Sequence, residues 1–354
     1  VYPGDTVGHS VGILTGGGDA PGLNAVIRAV IKYGVGRRGW RLLGIEDSFN
    51  GLLSNPLRVT SLTPVACKGL LQRGGTILGT TNRGDPFHFP GQAGTEADRS
   101  GEVAAAMKRL GLEGLIVLGG DGTQRIVMDL ATRHGIKAVG VPKTIDNDLG
   151  ATDLTFGFQS AVDCVTEALD RLHTTAESHD RVLVLEVMGR DAGWIALTGG
   201  VAGGADVILL PEIAWSPAGI VQKIEERRAL GRNFSLIVVA EGARVNGKVL
   251  GAGRAGAHVA DAIEAALPGI DTRVIVLGHL QRGGGPDAFD RVLATRFGVC
   301  AVDLVEAGRW GELVTLRNGK VDGVPLEEAR INREVGPDDE LVRAARAVGI
   351  AFGD

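Results

Sequence analysis

The chain has 354 residues, 44% hydrophobic, with 55 glycines and few aromatics; this fits aliphatic strands and tight strand-to-helix turns and excludes a disordered or fibrous chain. Its length predicts two packed lobes with a cleft between them, rather than one small core. A formal net charge of -5 leaves no footprint for nucleic acid, and Cys67, Cys164 and Cys300 are too scattered for a disulfide framework or thiolate metal site.

In chain order, the pattern predicts a strand at Val11–Thr15, a helix at Gly22–Lys32, a strand at Leu115–Leu118, a helix at Gln124–His134 and a strand at Ala138–Val141. A helix at Ser160–Leu172 follows, then strands at Val182–Val187 and Val207–Leu210, a helix at Pro217–Leu230 and a strand at Leu236–Val239. A helix at Ala257–Leu267, a strand at Val274–Leu277 and a helix at Arg291–Val305 complete the series. Such alternation implies an α/β fold with doubly wound, mainly parallel sheets, whose ligands bind beyond the carboxyl ends of the strands. Arg83 to Gly101 and Gly242 to Gly256 read as irregular surface excursions. No apolar run approaches the roughly 20 residues of a membrane span, and Val1 to Ser10 lacks a signal-peptide core, so the expected location is the cytoplasm.

Three short motifs follow predicted strands. Gly16-Gly17-Gly18-Asp19-Ala20-Pro21-Gly22 bares backbone N–H groups to a phosphate at a helix start, yet lacks both the Walker ending and the dinucleotide glycine spacing. Gly119-Gly120-Asp121-Gly122-Thr123 sets a carboxylate between glycines; Asp121 either organises a metal beside phosphates or caps the helix. Pro142-Lys143-Thr144-Ile145-Asp146-Asn147-Asp148 carries two carboxylates at i and i+2 beside a hydroxyl and an ammonium, suited to dividing hydroxyl activation from metal binding.

With these motifs in place the sequence closely resembles the phosphofructokinase family. GGGDAPGLN, GGDGT, PKTIDND, SHDRVLVLEVMGR and TRVIVLGHLQRGG appear in family order across residues 11 to 290. The resemblance implies two doubly wound sheets with helices on both faces and an active site in the interlobe cleft. It implies a donor lobe of 1–157 plus about 281–331 and a sugar-phosphate lobe of 158–280 plus about 332–354.

It also implies phosphorylation of fructose 6-phosphate at the 1-hydroxyl, with Asp146 as base, ATP as donor and Mg2+ as metal. Asp121 and Asp148 would organise the metal, while Thr144 and the backbone of Gly18 would contact the transferring group. Arg190 would stabilise the charge developing on that group. Arg181, Arg273, His279 and Arg282 match the family's phosphate-binding set, Glu241 its acceptor for sugar hydroxyls, and Met188 and Gly189 the pocket wall. Arg181 and Arg273 would reach a neighbouring copy's site, so the expected assembly is a homotetramer with shared active sites.

Donor choice turns on two positions. Pyrophosphate-dependent members usually place Asp where this chain has Gly122; a carboxylate about 4 Å from the α-phosphate, at an effective dielectric near 20, would repel it by about 4 kcal/mol. Lys143 points towards pyrophosphate, but its attraction for phosphate does not exclude ATP. Phe49 falls where ATP-using relatives carry a tyrosine, implying adenine stacking, and Gly120, Thr123 and the out-of-register Arg83 complete the implied donor set. Arg28 and Asp206 match the bacterial effector site, where Lys32 replaces an arginine. Alternatives are a pyrophosphate-dependent enzyme, a kinase of another sugar phosphate such as sedoheptulose 7-phosphate, and a catalytically silent metabolite sensor.

Overall fold

The computed structural model describes residues 8–90, 95–245, 248–249 and 251–354. It divides into two compact units. The first takes the chain through Thr144 with Leu149–Gly157 and Arg282–Asn332; the second holds Ile145–Asp148, Phe158–Gln281 and Arg333–Asp354.

The first unit opens with β1 (Ser10–Thr15), α1 (Leu23–Val30), α2 (Gly36–Arg38), β2 (Arg41–Ile45), α3 (Asn50–Leu53) and β3 (Val59–Ser61). It continues through β4 (Phe89–Pro90), β5 (Glu96–Ala97), α4 (Ser100–Leu110), β6 (Gly114–Gly119), α5 (Asp121–His134) and β7 (Ala138–Pro142). The second contributes α6 (Phe158–His179), β8 (Val182–Val187), α7 (Trp194–Ala202), β9 (Val207–Leu209), α8 (Pro217–Ala229), β10 (Ser235–Ala240), β11 (Arg244–Val245), β12 (Lys248–Val249), α9 (Ala255–Ala266) and β13 (Thr272–Val276). The chain returns to the first unit for α10 (Ala288–Glu306), β14 (Glu312–Arg317) and β15 (Lys320–Pro325), and ends in the second with α11 (Glu340–Ala347).

In the first unit the strand order is β15-β14-β7-β6-β1-β2-β3. Alternation along β6 divides its side chains between two cores. Ile116 and Leu118 pack with Ile27 of α1 and Phe297 of α10, while Leu115 and Val117 pack with Val103 of α4 and Val127 of α5. Both faces are therefore covered, the condition under which parallel strands become uniformly apolar. The sheet winds outward from β1 through β2 on one side and β6 on the other, so the carboxyl ends of β1 and β6 flank the point of reversal, where Thr15 pairs with Leu118.

The second unit carries an all-parallel sheet in the order β13-β8-β10-β9. Val182, Val184, Ile237 and Val239 pack on Ile220 and Ile224 of α8 and on Val259 and Ile263 of α9. The carboxyl ends of β8 and β10 lie side by side, with Val187 opposite Ala240.

The predicted strands form with ends shifted slightly, and the sheets are mainly parallel as expected. Two edges differ, because β3 runs antiparallel to β2 and β15 antiparallel to β14. The latter pair is joined at Asn318-Gly319, both left-handed, with φ of 50° and 77°. Of the irregular stretches, Arg83 to Gly101 includes the antiparallel pair β4 and β5 and the start of α4, and Gly242 to Gly256 includes the antiparallel pair β11 and β12. Parts of both, and of the chain start, lie outside the described residues. Among the described residues no helix is long and apolar enough to cross a membrane.

Candidate active site

Two glycine turns meet at the reversal point of the first sheet. The turn after β1 begins where Gly16 N–H donates to the Leu118 carbonyl at 2.8 Å, and Gly17, at φ 79°, donates to Thr81. Thr80 Oγ1 closes this turn on the Gly17 carbonyl at 2.6 Å. Thr123, in the first turn of α5, is the wedge between the two turns. A Cβ on Gly119 would fall 2.4 Å from Thr123 Cβ, and one on Gly16 2.8 Å from Thr123 Cγ2. Both glycines are required by that close approach, which sets the turn after β1 against the first turn of α5, whose N-terminus is suited to phosphate.

Asp121 stands at the start of α5 with its carboxylate exposed, 3.6 Å from Arg125 Nη2 one turn on. Gly122 is also exposed, and a Cβ built on it meets nothing within 4 Å. Gly120 precedes them in extended conformation. Beneath the turns, Gln124 is buried with Nε2 on the carbonyls of Val117, Gly119 and Val141, which fixes the ends of β6 and β7 together.

Lys143 and Thr144 follow β7 and are buried. The ammonium of Lys143 donates to the Gly18 carbonyl, and its backbone N–H to Gly119 at 3.1 Å. The Thr144 carbonyl accepts from Thr155 Oγ1 at 2.7 Å. Arg282 also belongs to this unit: its Nη1 donates to the Asp19 carbonyl at 3.1 Å, and a Cβ on Gly18 would sit 2.9 Å from it. Its contacts group it with the glycine turn rather than with the other arginines of the expected sugar-phosphate set. Arg83 is exposed, its N–H donating to Thr81 Oγ1 at 3.0 Å. Phe49 is a correction: its ring is 0% exposed, packed with Leu14, Ile45 and Leu52, and has no face to offer an adenine.

In the second unit, the ends of β8 and β10 place the other expected residues. Met188 and Gly189 follow β8, with Gly189 at φ 128° turning the chain so that Arg190 projects outward. Glu241 follows β10, its N–H on the Val187 carbonyl at 2.8 Å, and the next N–H, of Gly242, reaches Gly189 at 3.0 Å. A Cβ on Gly242 would fall 1.8 Å from the Arg190 carbonyl, so the pairing of these two strand ends demands glycine there.

The Arg190 guanidinium is held above its usual pKa, first by hydrogen bonding and charge from Asp191 at 2.8 to 2.9 Å, and further by the charges of Asp146 and Glu241. Burial opposes this only in part. Asp146 and Glu241 thus each lie near enough to act on the Arg190 charge. Asp148 lies two residues on, with Asn147 between them at φ 53°.

Arg181 and Arg273 share one partner. Asp271 lies 2.5 Å from Arg181 Nε through one carboxylate oxygen and pairs with Arg273 Nη1 through the other. Any phosphate bound by these arginines competes with that carboxylate. His279 is exposed on a short helical turn, Gly278–Gln281, which Gln281 ties back to the Met188 N–H at 3.2 Å. Asp206 is engaged by Arg227 at 2.5 Å and by the Leu236 N–H at 2.9 Å.

Asp191, Asp271, Gln124 and Gln281 were not singled out from the sequence. Asp191 stands next to Arg190 and Asp271 two residues from Arg273, a local signal that does not extend to Arg181; the glutamines act on backbone carbonyls and N–H groups, which no sequence pattern marks.

Among the described residues no cluster of three or more His, Cys, Asp or Glu could cage a metal. The donor set is instead isolated carboxylates, the hard oxygen donors that Mg2+ takes one or two at a time alongside substrate phosphates and water.

The phosphofructokinase family profile matches residues 10–305. An ATP-dependent 6-phosphofructokinase of Chloroflexus aggregans is 52% identical over 97% of this chain and 98% of its own. ATP-dependent 6-phosphofructokinase 1 of Synechocystis sp. is 48% identical over the same shares. Among solved structures, phosphofructokinase from Saccharomyces cerevisiae matches with a TM-score of 0.79 and 32% identity, covering 91% of this chain and 45% of the yeast chain.

Proposed function

The chain belongs to the phosphofructokinase family, and on that premise we propose that Asp146 is the base for the acceptor hydroxyl while the glycine turns of the first unit hold the donor. The enzyme transfers a phosphoryl group from ATP to fructose 6-phosphate, giving fructose 1,6-bisphosphate. The observation that supports the assignment of Asp146 is its place near Arg190, whose charge both Asp146 and Glu241 act on, at strand ends joined by the Gly242 N–H to the Gly189 carbonyl.

An ordinary aspartate, with a pKa of about 3.9, is ionised but weakly basic at neutral pH. In a loose transition state the attacking hydroxyl keeps its proton until late, so Asp146 first orients the hydroxyl and then takes the proton. Arg190 supplies a fixed cation for the charge that grows on the phosphoryl oxygens. Glu241 accepts hydrogen bonds from the sugar hydroxyls beside Met188 and Gly189. Arg181, Arg273 and His279 donate to the sugar phosphate, with Arg282 assigned to the same ligand from its place at the glycine turn.

On the donor side, Gly18 and Thr144 contact the transferring group, and Gly120, Thr123 and Arg83 frame the phosphates. Mg2+ bound with ATP, held by Asp121 and Asp148, would neutralise the charge of the β- and γ-phosphates. The open space at Gly122 supports admission of the α-phosphate.

The exposed apolar side chains Val274, Val276 and Leu280, beside Arg273 and His279, support assembly with other copies, for which we assign a homotetramer. Three unpaired cysteines fit a reducing cytoplasm. The test is 1-phosphorylation of fructose 6-phosphate by the purified protein with magnesium and ATP or pyrophosphate, assayed separately beside sedoheptulose 7-phosphate. Turnover mainly with ATP and fructose 6-phosphate supports the reading, and turnover with neither donor returns the metabolite-sensor alternative.

A further inference from the structure

We propose that Arg333 and Trp194 form a positioning pair that fixes the Ile145–Asp148 turn, and with it the carboxylate of Asp146. The proposal rests on the reading of Asp146 as the base. Neither residue belongs to any sequence motif described above, and both lie in the second unit with the turn.

The turn needs outside support. Asn147 is buried and left-handed at φ 53°, a conformation that is unfavourable for a non-glycine residue and persists only when its surroundings over-determine it. Asparagine tolerates the region better than most residues but does not select it. The support comes from the C-terminal segment, where the Arg333 N–H donates to the Asp148 carbonyl at 2.8 Å. This bond pins the far end of the turn immediately after Asn147.

Arg333 is in turn held by Trp194. The indole Nε1–H donates to the Arg333 carbonyl at 3.0 Å, and the Arg333 guanidinium stacks 4.3 Å from the centre of the same ring. Trp194 is 5% exposed, so its N–H bond is sheltered from water, while Arg333 is half-buried. A second tie runs in parallel: Glu212 Oε1 accepts from Gly193 N–H at 2.9 Å and Val335 N–H at 3.0 Å. Residues 333 to 335 are thereby strapped to the start of α7, just beyond Arg190 and Asp191. One rigid connection links the backbone of the Asp146 turn to the helix that follows Arg190, holding the two charges in register.

The variants are Trp194→Phe, which keeps the aromatic face and loses the N–H, Arg333→Met, which keeps length and loses the cation, and Arg333→Lys, which keeps a cation over the ring. Steady-state kinetics with Mg-ATP and fructose 6-phosphate should show kcat lowered about 10- to 100-fold in the first two, since small misplacements of a reacting group cost rates of that order. KM for both substrates should stay within about two-fold, and Arg333→Lys should restore most of kcat. Lowered melting temperature with unchanged kcat, or raised KM with unchanged kcat, would overturn the proposal.

Hydrogen exchange gives an outcome independent of catalysis. Faster exchange across residues 145–148 and at Arg333 in Trp194→Phe and Arg333→Met supports the pair, and unchanged exchange there defeats it. If the wild-type chain fails to phosphorylate fructose 6-phosphate while exchange responds as expected, the assignment of function fails and the strap stands.

Discussion

Lys143, at the end of β7, donates its side-chain ammonium to the backbone carbonyl of Gly18 in the turn after β1. The side chain is 3% exposed, and a Cβ on Gly17 would come within 3.3 Å of its Nζ. The ammonium is therefore a tie that shapes the glycine turn from beneath.

Removing that tie should loosen the donor site for either donor. A hydrogen bond to a charged group contributes about 1.5–3 kcal/mol, so Lys143→Met should lower kcat/KM for ATP about 10- to 150-fold. Steady-state assays with ATP and pyrophosphate would check this. Unchanged use of ATP would mean that the turn holds its shape without the lysine.

Gly122→Asp tests the donor reading from the other side. A side chain there meets no protein atom within 4 Å, and an acidic residue in the first turn of α5 suits the helix dipole, so the melting temperature should hold. Repulsion of the α-phosphate, discounted for solvent screening to about 1–3 kcal/mol, should lower kcat/KM for ATP about 5- to 150-fold. Pyrophosphate, which has no α-phosphate to meet the new carboxylate, should be spared. Equal losses with both donors would remove Gly122 as the basis of the preference for ATP.

The sequence carried much of this architecture because parallel strands buried on both faces read as apolar runs, and the motifs that follow β1, β6, β7, β8 and β10 mark their carboxyl ends. Edge elements were harder to read. β2, although followed by the polar Glu46-Asp47-Ser48, and β3 have no glycine-rich motif at their ends, and α7, Trp194–Ala202, is apolar but for Thr198, so no amphipathic period marks it. The β14–β15 hairpin did carry a signal, Asn318-Gly319 between two strand-like runs, but neither run is among the strands predicted in chain order. Phe49 could not be placed correctly from its position in the chain, since whether an aromatic ring lines a site or a core depends on neighbours such as Leu14 of β1, far away in the chain.

Asp146→Asn keeps the size of the side chain and removes its capacity to take a proton. A positioned general base contributes about 10²- to 10⁴-fold, so kcat should fall within that range while KM for fructose 6-phosphate changes little. Arg190 should also lose part of what raises its pKa, though Asp191 remains its main partner. Binding of fructose 6-phosphate measured by calorimetry, beside turnover, separates the chemical step from affinity. Near-normal turnover would assign the base elsewhere.

Glu212 gives a stability prediction with a defined sign. Burial pushes its carboxyl above the ordinary glutamate range; the N–H groups of Val335 and Gly193 oppose the shift, and the charge of Glu334 reinforces it. Its Oε2 is buried without a hydrogen-bond partner, consistent with desolvation as the leading cause. A folded-state value above the unfolded one means that the folded chain holds the extra proton in the window between them. The stabilisation from this group is therefore fully present below the unfolded value and is lost as pH rises through the folded value. Glutamine at this position does not titrate and keeps an acceptor for the two N–H groups. The melting temperature of Glu212→Gln, taken relative to the wild type, should accordingly rise as pH is raised from below the carboxylate range to about 7. Thermal melts of both proteins across that range read the difference directly. A difference independent of pH would show that the carboxyl titrates alike in the folded and unfolded chains, and that burial exacts no charge penalty at the strap.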